Sequence, residues 1–264
     1  MSARAKRRGM LGWLAALDDG QVIRAAFFGM LAATAAVLYV DFGELSATDA
    51  TAPAVAPDMT PILPPYDPNA TTPPAGPAIT TDPTILSQPM SVTLGAGGAL
   101  ELTGTITPGM FDTVNAEIEA RGEYVKKVVL NSPGGSVEDA IKIGALIEVQ
   151  GYETEVQKGG LCASSCPLIF AGGKERIASR ESAIGLHQIY AVGADLRGLP
   201  SARAAIGIAM SDAQKTTALI TRYLQTTNVD PTLWLIALET PPDRLHYLTE
   251  KQLQLYRLVS KFSD

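Results

Sequence analysis

Val128-Val-Leu-Asn131-Ser-Pro-Gly134-Gly135-Ser136 decides how this chain folds. A short apolar run breaks into a Pro-Gly-Gly turn, and a helical pattern starts directly after it. Val137, Ile141, Ile143, Gly144, Leu146 and Ile147 fall on one apolar face between residues 137 and 149. Tyr152-Glu-Thr-Glu-Val156 then returns as a strand, and Lys126-Lys-Val-Val-Leu130 precedes the turn as a buried one. The rhythm of strand, helix and strand predicts right-handed crossovers. The expected fold class is therefore α/β, a mostly parallel sheet with flanking helices.

The same rhythm extends both ways. Upstream, Ser91–Leu94 and Ala99–Ile106 alternate apolar and polar residues and read as a hairpin around Gly95–Gly98, and Pro108 opens a helix through Phe111, Val114 and Ile118. Downstream, Pro167-Leu-Ile-Phe-Ala171 is a short helix, and residues 175–178 and 183–186 are short strands. Residues 191–200 form a Gly-rich loop of the kind that covers a site. A long helix is expected over 201–224, another from Asp230-Pro231 to Leu238, a strand near His246–Leu248, and a last helix opened by Thr249. Residues 91–264 suffice for one domain with a full core.

The residues before this domain are of other kinds. The chain has 264 residues, 46% hydrophobic and 18% charged, with a formal net charge of -6. That charge gives no reason to expect nucleic acid as a partner. Arg4, Lys6, Arg7 and Arg8 make a basic tail over residues 1–20, ahead of an apolar stretch over residues 21–41. The stretch approaches the roughly 20 apolar residues that cross a bilayer. Arg24 near one end can snorkel, and Tyr39 suits the other interface. A cleavable signal peptide is the alternative. The positive-inside rule keeps the tail in the cytoplasm and exports the chain beyond residue 41. It thus predicts a single-pass bacterial inner-membrane protein with its folded domain on the periplasmic side. Residues 42–90 carry prolines among Ala and Thr and read as a disordered, semi-rigid linker.

Three features of the domain carry chemistry. Gly134 and Gly135 leave backbone N–H groups exposed at the turn, suited to close approach of a ligand, although a tight turn alone also explains a Gly pair. There is no P-loop lysine beside it. Gly159-Gly-Leu-Cys162-Ala-Ser164-Ser165-Cys166-Pro167 places serines at a helix start, where an oxyanion is stabilised and where a serine also serves as an N-cap. Gly185-Leu-His187-Gln188 then supplies one of only 2 histidines at a strand end. Backbone donors, a hydroxyl and an imidazole are the parts an acyl-transfer site needs. Cys162 and Cys166 bracket Ser164. Two cysteines with no nearby His pair make no zinc site, so no metal is expected. In an exported domain such a pair reads as a disulfide that fixes the backbone around Ser164.

Together, Asn131-Ser-Pro-Gly-Gly-Ser136, the Ala163-Ser164 element ending in Ala171-Gly-Gly, and Leu186-His187-Gln188 resemble the Clp protease proteolytic subunit family, within the crotonase-type superfamily. The resemblance spans about Leu102 to Val259. It implies Ser164 as nucleophile, His187 as general base, and oxyanion donors at the Gly134-Gly135 turn and the Ser165 N–H. The family's acid stands in an Asp-Arg pair near the C-terminus, which implies Asp243, in Asp243-Arg244, as the residue orienting His187; a Pro-Pro-Asp turn residue is the plainer reading. His246 is a lesser partner for the histidine. The Cys pair and Ser165-Cys166-Pro167 depart from the family pattern, as do the anchor and linker.

These features predict a membrane-anchored serine peptidase acting without cofactor on peptides or unfolded protein, and a homo-oligomer is possible. Three alternatives remain. One is an inactive Clp-like binding or scaffold module; another is an acyl-CoA enzyme using the Gly-Gly turn alone. A Ser–Lys peptidase would need Lys158 or Lys174 at the site.

Overall fold

The computed structural model describes residues 19–51, 61–69, 76–189 and 202–264. The chain divides into two compact units, Met1–Ala56 and Pro57–Asp264. In the first unit, helix α1 (Asp19–Thr51) contains the segment Asp19–Phe42, which is long and apolar enough to cross a membrane. The basic residues of the N-terminal tail lie outside the described residues, as does the Gly-rich loop 191–200.

The second unit is a mixed α/β fold with a mostly parallel sheet. Strands β1 (Ser91–Leu94) and β2 (Ala99–Thr103) form the expected antiparallel hairpin. β2 pairs in parallel with β3 (Lys127–Asn131), β3 with β4 (Glu153–Val156), and β4 with β6 (Arg176–Ser179). A final strand, β9 (Lys261–Ser263), adds in parallel to β6 and closes a six-stranded sheet. The sequence pattern did not announce this strand, since three residues are too few to show alternation. The Arg176 side chain fixes its approach, donating from Nε to the Leu258 carbonyl at 2.9 Å.

The strands do not all join one sheet. β5 (Leu161–Ala163), β7 (Ala183–Leu186) and β8 (His246–Tyr247) form a separate three-stranded sheet, with β8 antiparallel to β7. β5 also runs alongside the end of β3: Ser132 N–H donates to Leu161 O at 2.7 Å, and Ala163 N–H to Ser132 O at 3.0 Å. The turn after β3 is thereby placed beside the residues that come after β5.

Helices pack around the two sheets and on one another. α3 (Met110–Arg121), α4 (Val137–Gln150), α5 (Cys166–Ala171), α6 (Ala202–Thr226) and α7 (Leu233–Glu239) follow the expected apolar patterns, with a short α8 (Glu250–Leu255) near the C-terminus. Ile143 and Ile147 of α4, Phe170 of α5, and Ile220 and Leu224 of α6 are buried in one core with Val128 and Leu130 of β3. α4 is fixed at its start by Ser136, whose Oγ accepts from the Asp139 N–H at 3.3 Å. Although burial opposes its charge, the Asp139 carboxyl is held below the usual carboxylate range by bonds from Ser136 and the Phe111 amide.

The segment expected as a disordered linker is not uniform. Pro83–Leu86 is a helical turn, α2, with Asp82 accepting the Thr84 N–H at 2.8 Å. Leu86 is fully buried with Leu161, Ala163, Ala183 and Leu245, and Ile62, Leu63 and Ile79 pack on them. Pro65 forms a parallel bridge to Leu245: Leu245 N–H donates to Pro64 O at 2.9 Å, and Tyr66 N–H to Leu245 O at 2.8 Å. Proline content alone reads as an unpaired chain. Four apolar side chains and one open sheet edge decide otherwise.

α4 crosses α5 and α6 at Gly144, where a Cβ would stand 2.6 Å from Leu168 O and collide with the Tyr223 hydroxyl. Tyr223 Oη donates to that same Leu168 carbonyl at 2.9 Å, so neither neighbour can yield freely. Gly144→Ala is therefore expected to lower unfolding free energy by about 1–3 kcal/mol, measured by urea denaturation.

Candidate active site

Ser164 stands between β5 and α5, and its backbone is left-handed with φ 62°. For a residue with a Cβ that conformation costs about 1–2 kcal/mol and needs support from its surroundings. The support comes from both sides. Ser164 N–H donates to Gly185 O at 2.9 Å, carrying the β5–β7 ladder up to the serine. Cys162 and Cys166 form a disulfide across it, with Cα atoms 5.1 Å apart and both residues buried. The loop of residues 162–166 is thus closed covalently around the strained residue.

The Gly-Gly turn packs directly against this loop. Gly134 has φ 99°, and a Cβ on it would lie 2.5 Å from Ser164 Cβ. Gly135 has φ 140°, and a Cβ there would strike the Ile106 carbonyl. Only glycine fits either position. The N–H of Gly134 donates to Ser132 Oγ at 3.1 Å. It is therefore engaged within the turn, which separates it from the expected set of open donors. The Gly134 carbonyl accepts from Ile106 N–H at 2.8 Å. Because C=O and N–H of one trans peptide point oppositely, this bond turns the Gly135 N–H away from Ile106. The N–H groups of Gly135 and Ser165 make no hydrogen bond among the described residues. Ser165 Oγ donates to Gly135 O at 3.2 Å and ties the two peptides together.

His187 immediately follows β7 and is buried. Its Nε2 lies 2.8 Å from Ser164 Oγ, and its Nδ1 lies 3.0 Å from the Pro242 carbonyl oxygen. A carbonyl only accepts, so in the neutral ring Nδ1 carries the proton and Nε2 offers its lone pair to the serine hydroxyl. Burial pushes the imidazole below its ordinary 6.5, with the Pro242 bond opposing part of that shift. Pro242 is itself held nearby: Gln188 N–H donates to Thr240 O at 3.0 Å, and Gln188 Nε2 to Leu238 O at 2.7 Å. On the other side, β8 pairs Leu186 with His246.

The sequence placed Asp243 at Nδ1. The structure places the backbone carbonyl of the preceding residue there, while the Asp243 side chain is exposed. His246 turns to Gln252, whose Nε2 is 3.1 Å from its Nε2. No residue type in the sequence could have disclosed the acceptor on His187, because position 242 contributes only its main chain.

A cavity of about 330 Å³ opens beside these groups, lined by Gly134, Gly135, Ser164, Ser165 and His187 at one end. Leu63, Val137, Ile189, Trp234 and Leu245 make its apolar walls. Among the described residues no group of three or more His, Cys, Asp or Glu could hold a metal ion. A hydroxyl, a neutral imidazole accepting its proton, and two open N–H groups at one cavity can form and stabilise a tetrahedral acyl intermediate.

Residues 114–230 match the Clp protease family model. The match begins within α3 and ends before α7, so it takes in the Gly-Gly turn, Ser164 and His187. Pro242 and the docked segment around Leu63 lie outside it. No curated protein matches the chain.

The strain at Ser164 gives a test that is independent of activity. Ser164→Gly and Ser164→Ala both remove the hydroxyl, but only glycine accepts φ 62° freely. The glycine variant is expected to be more stable by about 1 kcal/mol in chemical denaturation.

Proposed function

We propose that the chain is a membrane-anchored serine peptidase that hydrolyses peptide bonds through an acyl-enzyme on Ser164. The observation that carries this reading is the 2.8 Å contact between Ser164 Oγ and His187 Nε2, in a ring whose other nitrogen faces a carbonyl. His187 takes the serine proton as Oγ attacks the substrate carbonyl, then passes it to the leaving amine. Water repeats the sequence to release the acyl group. Gly135 and Ser165 N–H stabilise the oxyanion, with Gly134 as the residue that lets the turn approach. The match to the Clp protease family model supports peptides or unfolded protein as the substrate class. Assembly into a homo-oligomer accords with the same family.

In this reading Pro242 replaces Asp243 as the group orienting the histidine. An acid in that place does two things: it selects the tautomer, and it stabilises the imidazolium with its charge. A carbonyl keeps the first and gives up most of the second. The helix α1 supports an anchor, and the disulfide supports an oxidising compartment. Both agree with a domain on the periplasmic side of a bacterial inner membrane.

A fluorophosphonate probe is expected to label the protein at Ser164, read by intact mass without reductant. Ser164→Ala should abolish the adduct, whereas Asp243→Asn should keep the labelling rate within about threefold, against the roughly 10⁴-fold loss seen when a true triad acid is amidated. A tenfold or greater loss in Asp243→Asn would return the acid role to that residue.

The pH dependence comes from His187. The base must be neutral, and burial lowers its affinity for a proton, so it stays neutral to below pH 6.5. The acid limb of kcat/KM is expected with its midpoint below 6.5 and a plateau above pH 7. In the unfolded chain the same residue protonates first as pH falls, so stability should decline through that range as well.

A further inference from the structure

Pro61 and Leu63 lie outside the matched residues 114–230, yet they line the same cavity as Ser164 and His187. Their segment is held in place through its main chain. Tyr247 Oη donates to the Leu63 carbonyl at 2.9 Å, and Leu245 N–H to the Pro64 carbonyl at 2.9 Å. Burial pushes the Tyr247 hydroxyl up to about 12, so it keeps the proton it donates at any ordinary pH. Tyr247 pairs with Gly185, whose carbonyl accepts the Ser164 N–H, so the tie runs into the sheet that carries the nucleophile. Ile62 and Leu63 are both half-buried, and both pack on the small cluster around Leu86 and Leu245. Of the two, only Leu63 also lines the cavity.

The rest of the lining defines what Leu63 would help to hold. Val137, Ile189, Trp234 and Leu245 are apolar, and His187 is the one ionisable side chain among the described lining residues. The other polar side chains each donate to a main-chain carbonyl: Ser87 to Thr84, Thr105 to Leu86, Gln188 to Leu238 and Ser165 to Gly135. Ser164 and His187 bond to each other, and the Gly135 and Ser165 amides are the oxyanion donors. A bound side chain therefore meets uncharged and mainly apolar surface. We propose that the docked segment supplies a wall of the substrate cleft, with Leu63 as the residue that sets how large an apolar side chain of the peptide is accepted. The site is completed in cis by the stretch of chain that lies, in sequence, between α1 and β1. Such a wall acts through fit, and a methylene gained or lost there shifts selectivity by about tenfold or more.

The inference rests on the peptidase reading for turnover alone, so binding and hydrolysis are measured separately. The detergent-solubilised full chain carrying Ser164→Ala is titrated calorimetrically with acetyl-Ala-Ala-X-Ala-Ala amide, X being leucine or 2-naphthylalanine. The affinity for naphthylalanine relative to leucine should rise about tenfold when Leu63→Ala is added, and fall about tenfold with Leu63→Trp. Undocking of the segment would open the cavity in both variants, so shifts of opposite sign are the signature of contact. Ile62→Ala removes packing on the same cluster and should leave the ratio unchanged. A ratio that neither Leu63 variant moves, that both move the same way, or that Ile62→Ala moves as far, overturns the wall. Failure of both peptides to bind overturns it too. Fluorescence-quenched versions of the two peptides on the chain with Ser164 intact then give kcat/KM. Opposite shifts in binding without hydrolysis uphold the wall and remove the peptidase reading; hydrolysis with an unmoved ratio does the reverse.

Discussion

The left-handed backbone at Ser164 is the constraint on which the site depends. The chain leaving β5 turns into α5 within a few residues, and from its left-handed backbone the serine at the turn places its hydroxyl 2.8 Å from His187 Nε2. That conformation's cost of about 1–2 kcal/mol is met by neighbours that leave it no alternative. The ladder to Gly185 fixes its amide, the disulfide closes the loop across it, and the Gly134 turn fills the space where a side chain would push it away. These supports come from β3, β5, β7 and α5, which is why the small sheet and the end of the large one must meet at this point.

The second dependence runs through His187. A histidine between a hydroxyl and a main-chain carbonyl has its tautomer chosen by the carbonyl, which only accepts and does not titrate. It also leaves the ring less basic than a carboxylate would, in the direction in which burial already moves it. The geometry of positions 238–242 then matters more than their side chains: Gln188 grips Leu238 and Thr240, and β8 pairs immediately beyond.

Much of this was legible in the sequence where side-chain identity carries the signal. The Pro-Gly-Gly turn, the serine between two cysteines and a scarce histidine announced themselves by residue type, and the helical faces by period. What escaped was carried by the main chain or by very short elements. The Pro242 carbonyl has no residue signature, so a nearby aspartate attracted the assignment. The engaged N–H of Gly134 and the open one of Gly135 look alike in sequence and differ only through Ser132 and Ile106. The split into two sheets was hidden because β5, at three residues, is too short to show a pattern and was not expected as a strand, and β7 shows the same apolar run as strands of the larger sheet.

The docked segment around Pro65 has a consequence for solubility. β8 lies at the border of the small sheet, and such borders recruit foreign strands when their main-chain groups stand open. Leu245, just ahead of β8, has its amide and carbonyl engaged by Pro64 and Tyr66. In that parallel register the N–H of residue 65 would face outward, and a proline has none to present. The composition that makes the segment look unfit for structure is what allows it to finish a sheet without offering a template for the next strand.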